Sequence, residues 1–319
     1  PLDRAMRTYG IARLARDDWA ALPNEAKELL DAYARGVNAW IAERGRFAAP
    51  EFVALGAPEP WTTTDSMLWP RSMGLVLARN WRSEIARMHL SQQLSPAKID
   101  DLWPSGTPRQ HAENDRSSDL LQFAATDLWQ ASNEWAVDGK RSTTGAPLLA
   151  GDPHLGFAFP GLWYLARIDT PTGALAGATA PGMPLLVFGH NDDIAWTFTA
   201  NGADVQDIFV ESPNASLTTR EETIHVRGAA DTLLTVRESR HGPIVSDLVG
   251  STSRLLALSA TNLMPRDTSF VGFMRLNRAT SVMEAGEASH AVVAPPLNLL
   301  VADKRTIGQF MVGQIGRAH

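Results

Sequence analysis

The sequence predicts an α+β fold, helices first and strands after. Apolar residues recur at helical spacing through roughly the first hundred positions, and a polar, Pro/Gly-punctuated stretch follows. Beyond it, short apolar runs alternate with Gly, Pro, Asn and Asp, which is the pattern of strands and turns. Helices segregated from strands fit α+β rather than alternating α/β units.

From Asn24 to Gly45, Leu30, Tyr33, Val37, Trp40 and Ile41 share a helical face, with Asn24 as the expected N-cap. Ala57-Pro58-Glu59-Pro60-Trp61 is a stiff separator, because two prolines fix φ. A second helical stretch is expected from about Thr64 to Leu94, capped by Asp65, with Pro70 marking its first turn or kinking it. Pro104, Gly106, Pro108 and the polar run from Gln110 to Ser118 read as an exposed linker. Strands are expected at Pro147 to Ala150, Trp163 to Ile168, Leu185 to Phe188, Ile194 to Thr199, Leu233 to Val236 and Leu255 to Leu258. The chain thus divides into a helical region 1–103, a linker 104–131 and a β-rich region 132–319, with no internal repeat.

Composition narrows the function. A net charge of -6 and no Lys/Arg run argue against a nucleic-acid partner. No stretch reaches the ~18 uninterrupted apolar residues of a membrane span. With no cysteine, disulfides, thiolate metal sites and cysteine nucleophiles are excluded. Pro1-Leu2-Asp3 opens directly into charged, helix-like sequence, so the chain reads as part of something longer.

The linker ends at Ala131-Ser132. A serine whose own backbone amine is free can use that amine as its base, since an α-amino group titrates near ~7.7–8.0. The peptide bond before it must first be cut, and Ala131 is small enough to let the hydroxyl approach its carbonyl. On residue type alone, Ser132-Asn133 reads first as a turn before a strand.

Ser132-Asn133-Glu134-Trp135-Ala136-Val137, Gly145 to Ala150 and Asp152-Pro153-His154-Leu155 together resemble the start of the catalytic chain in penicillin acylases, which are N-terminal-nucleophile hydrolases. Phe188-Gly189-His190-Asn191, Ile194-Ala195-Trp196, Asp204 to Phe209 and Arg240-His241-Gly242-Pro243-Ile244 match that family in the same order. In the helical region, Ala34 to Trp40 and Ser83-Glu84-Ile85 have counterparts as well. The resemblance covers nearly the whole chain and implies a four-layer αββα sandwich with an N-terminal helical region packed on it.

It also implies roles. Ser132 matches the nucleophile, exposed by autoproteolysis, which forms an acyl-enzyme that water releases. Ala200 matches the residue whose backbone N–H forms half of the oxyanion hole, with Asn201 the adjacent alternative; such donors contribute ~3–4 kcal/mol each. His154 matches a position close to the nucleophile's amine. Leu155, Phe188 and Phe198 match the acyl pocket, and Arg79 and Asn80 match a helix that covers it. Glu84, Asp204 and Asp207 match calcium ligands, with Gln206 contributing its backbone carbonyl; the ion would clamp the helical region to the β-rich one. His190 and His241, each beside a glycine, are expected to make structural hydrogen bonds.

The activity implied is hydrolysis of an acylated amine, with penicillin-type β-lactams as the reference substrate. An acyl-homoserine-lactone acylase is a close variant that His154 suits, and an inactive, unprocessed remnant is the alternative from another class. The partners implied are a small acylated amine and the α and β chains of one processed precursor. The location implied is periplasmic or secreted. The family's second oxyanion donor, an Asn, is expected beyond the matched segment, since Asn298 falls on an earlier strand; some calcium ligands and much of the second half of the domain are expected to lie outside it too.

Overall fold

The computed structural model describes residues 2–78, 80–103, 131–155, 161–171, 173–249 and 254–315. Residues 104–130 of the linker expected at 104–131, and Arg79, therefore lie outside the described residues, whereas Ala131 opens the first strand. Among the described residues seven α-helices precede the first strand: α1 (Leu2–Tyr9), α2 (Ile11–Ala21), α3 (Asn24–Arg44), α4 (Pro50–Leu55), α5 (Thr63–Leu77), α6 (Asn80–Leu90) and α7 (Pro96–Leu102).

Local chemistry sets their ends. Asn24 is not the cap of α3 but its first residue; Pro23 precedes it, its φ already fixed near the helical value. At α5 the cap is Thr62 rather than Asp65: the Thr62 hydroxyl accepts from the Asp65 N–H while the Asp65 carboxylate accepts from the Thr62 N–H at 2.7 Å, a capping box. Pro70 lies inside α5, and the stretch expected to run on to Leu94 is broken at Ala78, which turns extended. The loop between the helices is held by Asn38, whose amide brackets Trp61: Nδ2 donates to the Trp61 carbonyl at 2.9 Å and Oδ1 accepts from the Trp61 N–H at 2.7 Å.

Thirteen strands follow among the described residues. The hairpin of β1 (Ala131–Val137) and β2 (Leu148–His154) forms one small sheet. Next come β3 (Tyr164–Thr170), β4 (Gly173–Thr179), β5 (Phe188–His190), β6 (Ile194–Ala200), β7 (Gln206–Glu211), β8 (Thr218–Ile224), β9 (Thr232–Ser239) and β10 (Gly242–Pro243). After α8 (Ser246–Val249) and β11 (Leu255–Ala260) come two helices that no sequence pattern announced, α9 (Ser269–Arg278) and α10 (Val282–Ser289), then β12 (Leu297–Asp303) and β13 (Ile307–Val312). The main sheet has the antiparallel order β13-β12-β6-β5-β4-β3; β7 pairs with β11, and β8, β9 and β10 form a third small sheet.

The layers follow from alternation along β6. Trp196 and Phe198 join Leu297, Leu299 and Val301 of β12 and Phe270 and Phe273 of α9 in the main core. Thr197 and Thr199 point the other way, toward the β1–β2 hairpin, where a Cβ placed on Gly151 would lie 1.9 Å from Thr197 Oγ1. Only glycine lets the two sheets approach this closely. The described residues thus stack helices, six-stranded sheet and hairpin in that order, an α+β architecture. No helix among them is long and apolar enough to cross a membrane.

Candidate active site

Ser132 lies on β1 opposite Pro153 of β2, and both side chains line one apolar cavity of about 50 Å³. Strand alternation builds its floor: Ser132 from β1, Pro153 from β2 and Phe198 and Ala200 from β6 converge, with Leu155 just past the end of β2. Its wall is a run of rings, with Trp163 edge-on to Phe188 at 4.7 Å, Phe188 to Phe198 at 6.3 Å and Phe198 to Phe273 at 5.4 Å. Helix α5 closes it with Trp69, Met73 and Leu77. Among the described residues the lining holds no charged side chain, so an uncharged, apolar group is what it suits.

Leu155, Phe188 and Phe198 thus line the cavity, as Ala200 does. The Asn201 side chain is held by two hydrogen bonds: its Nδ2 donates to the Leu297 carbonyl at 3.4 Å and its Oδ1 accepts from the Ala203 N–H at 3.0 Å. His154 stands opposite Ala131 across the strand pair, on the face of β2 away from Pro153, and its Nε2 meets Asp152 Oδ2 at 2.7 Å. Trp69, Met73, Trp163 and Phe273 had no motif to mark them. Phe273 lies on the unforeseen α9, and the others read as ordinary core.

A second cluster lies where α6 meets β7. One carboxylate oxygen each from Glu84, Asp204 and Asp207 lies within 4.8 Å of the others. Asn80 joins them rather than covering the cavity: it opens α6 and its Nδ2 donates to Asp204 Oδ1 and, at 2.5 Å, to the Gln206 carbonyl. Glu84 Oε2 accepts from the Ile208 N–H at 2.8 Å, which already fastens α6 to β7. The Gln206 side chain points away into the interior, where it is fully buried.

His190 and His241 make local contacts. His190 Nδ1 sits 3.1 Å from the Asn191 carbonyl. His241 Nδ1 lies 2.7 Å from Glu211 Oε1, with its ring stacked on Phe209 at 4.0 Å. Hydrogen bonds from Ser239 and His241 hold the Glu211 carboxyl below its ordinary range.

The whole chain, residues 1–319, matches the sequence profile described as penicillin amidase. It is 28% identical to the acyl-homoserine lactone acylase QuiP of Pseudomonas aeruginosa, across 98% of this chain and 42% of that protein. The corresponding protein of Pseudomonas fluorescens is 31% identical, over 98% of this chain and 43% of its own length. Penicillin acylase 2 proenzyme from a Pseudomonas species is 30% identical, over 94% and 43%. Among solved structures, a thermostable penicillin G acylase from Alcaligenes faecalis superposes with a TM-score of 0.51 at 24% identity, over 57% of this chain and 35% of that one. The chain therefore spans about two fifths of the length of the curated relatives it matches.

Proposed function

The chain belongs to the penicillin amidase family, and from that premise we propose that it is an amide hydrolase whose nucleophile is Ser132, freed by cleavage after Ala131. The observation that carries the reading is the apolar cavity with the Ser132 side chain in its lining. In the precursor, Ser132 Oγ attacks the Ala131 carbonyl carbon and the acyl group shifts from nitrogen to oxygen. Water then hydrolyses that ester, leaving a carboxylate on Ala131 and a free amine on Ser132. In turnover this amine takes the hydroxyl proton as Oγ attacks the substrate's amide carbon. The proton passes to the departing amine, the acyl group stays on Oγ as an ester, and water releases it as the acid. The Ala200 N–H is the donor assigned to the oxyanion, a contribution of about 3–4 kcal/mol. His154, with Asp152, flanks the strand position from which Ala131 departs.

The cavity's size bears on the acyl group. An apolar cavity of about 150 Å³ takes a benzene ring, whereas this one is about 50 Å³. As it stands it fits a short aliphatic head; a ring or a long chain needs the aromatic wall to move. Relatives named acyl-homoserine lactone acylase favour that variant as the second reading.

A calcium ion at Glu84, Asp204 and Asp207 is part of the proposal. Oxygens within 4.8 Å of one another suit a centre about 2.4 Å from each, the distance Ca²⁺ takes, and hard carboxylates plus the Gln206 carbonyl are its preferred donors. The ion would supply a structural clamp between α6 and β7. A periplasmic or secreted location rests on the family resemblance.

Intact-mass measurement of the purified chain tests the reading. Two fragments that meet at Ala131/Ser132, and one uncut 34.7 kDa chain in Ser132→Ala, are expected. A wild-type chain that stays whole, or a Ser132→Ala chain that still splits there, would overturn it.

A further inference from the structure

The layer between the β1–β2 hairpin and the main sheet holds a carboxylate that the proposed reaction leaves unused. Glu134 follows Ser132 by two residues, so both side chains leave the same face of β1, about 7 Å apart along the strand. Directly opposite Glu134 on β2 is Gly151, whose missing side chain lets Thr197 of the main sheet close up against the hairpin.

The carboxyl takes a hydrogen bond from the Thr199 hydroxyl, and Thr199 Oγ1 in turn accepts from Asn298 Nδ2 at 3.1 Å. A hydroxyl has one proton, so the chain has one direction: amide N–H to hydroxyl, hydroxyl to carboxylate. Thr199 immediately precedes Ala200, so this relay ends under the strand segment that lines the Ser132 cavity. Glu134 Oε2 is buried and has no partner. An ionised carboxylate with an unmet acceptor in such a layer is costly unless a donor or cation completes it. Burial accordingly pushes the Glu134 carboxyl above its ordinary range, against the pull of the Thr199 hydroxyl.

Cleavage after Ala131 creates one new cation on this face, the α-ammonium of Ser132. We propose that Glu134 is a positioning residue for that amine, holding it directly or through one water and setting the pH at which it becomes a free base. The inference rests on Ser132 being the freed nucleophile. Among the described residues of the strands packed on β1, no other ionisable group competes for the place. Strand β6 carries none; β12 carries only Asp303, at its far end; and Asp152 and His154 of β2 face away and pair with each other at 2.7 Å. A nearby carboxylate favours the charged amine, so the amine titrates above the ~7.7–8.0 of an ordinary α-amino group, and catalysis requiring its free form rises at correspondingly higher pH.

The test is competitive labelling of the processed protein with trace acetic anhydride between pH 5 and 10, reading acetylation of the peptide that begins at Ser132. The wild-type amine is expected to titrate above pH 8, and Glu134→Gln to bring the midpoint down by about one pH unit, a tenfold change in free amine at neutral pH. The acid limb of kcat/KM should move down with it, which a merely structural role for Glu134 would not produce. A wild-type midpoint at or below 7.7, or identical midpoints in the two proteins, would overturn the proposal while leaving Ser132 as the nucleophile. A chain never cut after Ala131 would overturn both.

Discussion

Arg71 of α5 and Asp18 of α2 form an ion pair in the interior, each side chain about 1% exposed. Arg71 Nε donates to Asp18 Oδ2 at 2.7 Å, Nη1 to the Asn262 carbonyl at 2.7 Å and Nη2 to the Met264 carbonyl at 3.1 Å. Asp18 Oδ1 accepts from the Asp267 N–H at 3.0 Å. Burial pushes the Asp18 carboxyl up and Arg71 pulls it back. The pair thus binds two helices that precede Ser132 to a loop well after it, and in a chain cut at Ser132 it would bridge the two fragments.

Removing one partner leaves the other charge buried and unmatched, which costs about 3–5 kcal/mol. Arg71→Ala should therefore lower the unfolding free energy in urea by that order, and after processing the fragments should part during gel filtration. A loss below about 1 kcal/mol would show that the pair is not the clamp described. Arg71→Met tests the opposite limit when combined with Asp18→Leu, since an apolar pair of similar volume can recover much of the loss.

The carboxylate cluster predicts a calcium-dependent stability. If Glu84, Asp204 and Asp207 hold the ion, calcium at a hundred times its dissociation constant should stabilise the fold by about 2.7 kcal/mol, read as a higher melting temperature. Chelator should remove the increment, and Asp204→Asn should abolish it. Equal melting temperatures with calcium and with chelator in wild type would sink the idea. Magnesium should substitute poorly, because it demands a tighter octahedral shell.

Glu211 sets an acid limit. Its carboxyl is held low in the folded protein by hydrogen bonds from Ser239 and His241, whereas an unfolded glutamate titrates near ~4.3. A group whose folded pKa is depressed contributes stability that is fully present above the unfolded value and is lost as pH falls through the folded one. Glu211→Gln should therefore be less stable than wild type at pH 6–7 and should converge with it as pH drops below about 4. Urea unfolding across pH 3–7 reads this directly; parallel curves for the two proteins would contradict it.

Much of this arrangement was legible in the sequence. Helical spacing marked α3, short apolar runs marked β6 and β11, and the turn residues marked the boundaries between strands. Asn38 in Ala34 to Trp40 and Asn191 beside His190 were visible as motif residues, and both turn out to hold loops through their side-chain amides. What was hidden depended on tertiary contact. Helices α9 and α10 contain Gly272 and Gly286, poor helix formers that are used because α9 presses on Val292 and α10 on Phe310. The cap of α5 was misassigned by three residues because Thr and Asp both cap, and only reciprocal hydrogen bonds separate the two roles. Phe188 and Phe198 in the cavity wall were named through the resemblance, but Trp163 and Phe273 at its ends were out of reach for the same reason: sequence spacing carries no information on which rings meet across sheet and helix.

That wall leads to a prediction about specificity. Trp163 stands edge-on to Phe188 and lines a cavity too small for a ring as it stands. Truncation in Trp163→Ala should open that side while leaving Ser132, Ala200 and Leu155 on the floor. One methylene in an apolar pocket is worth about 1–3 kcal/mol of discrimination. The ratio of kcat/KM for a dodecanoyl over a butanoyl anilide should therefore rise by tenfold or more, driven by gain on the long chain and lost contact with the short one. Trp163 is only partly buried, so folding should survive; Trp163→Leu provides a milder step that should move the ratio in the same direction by less. An unchanged ratio in both variants would mean that the acyl group does not enter between Trp163 and Phe188, and that the cavity beside Ser132 is core rather than pocket.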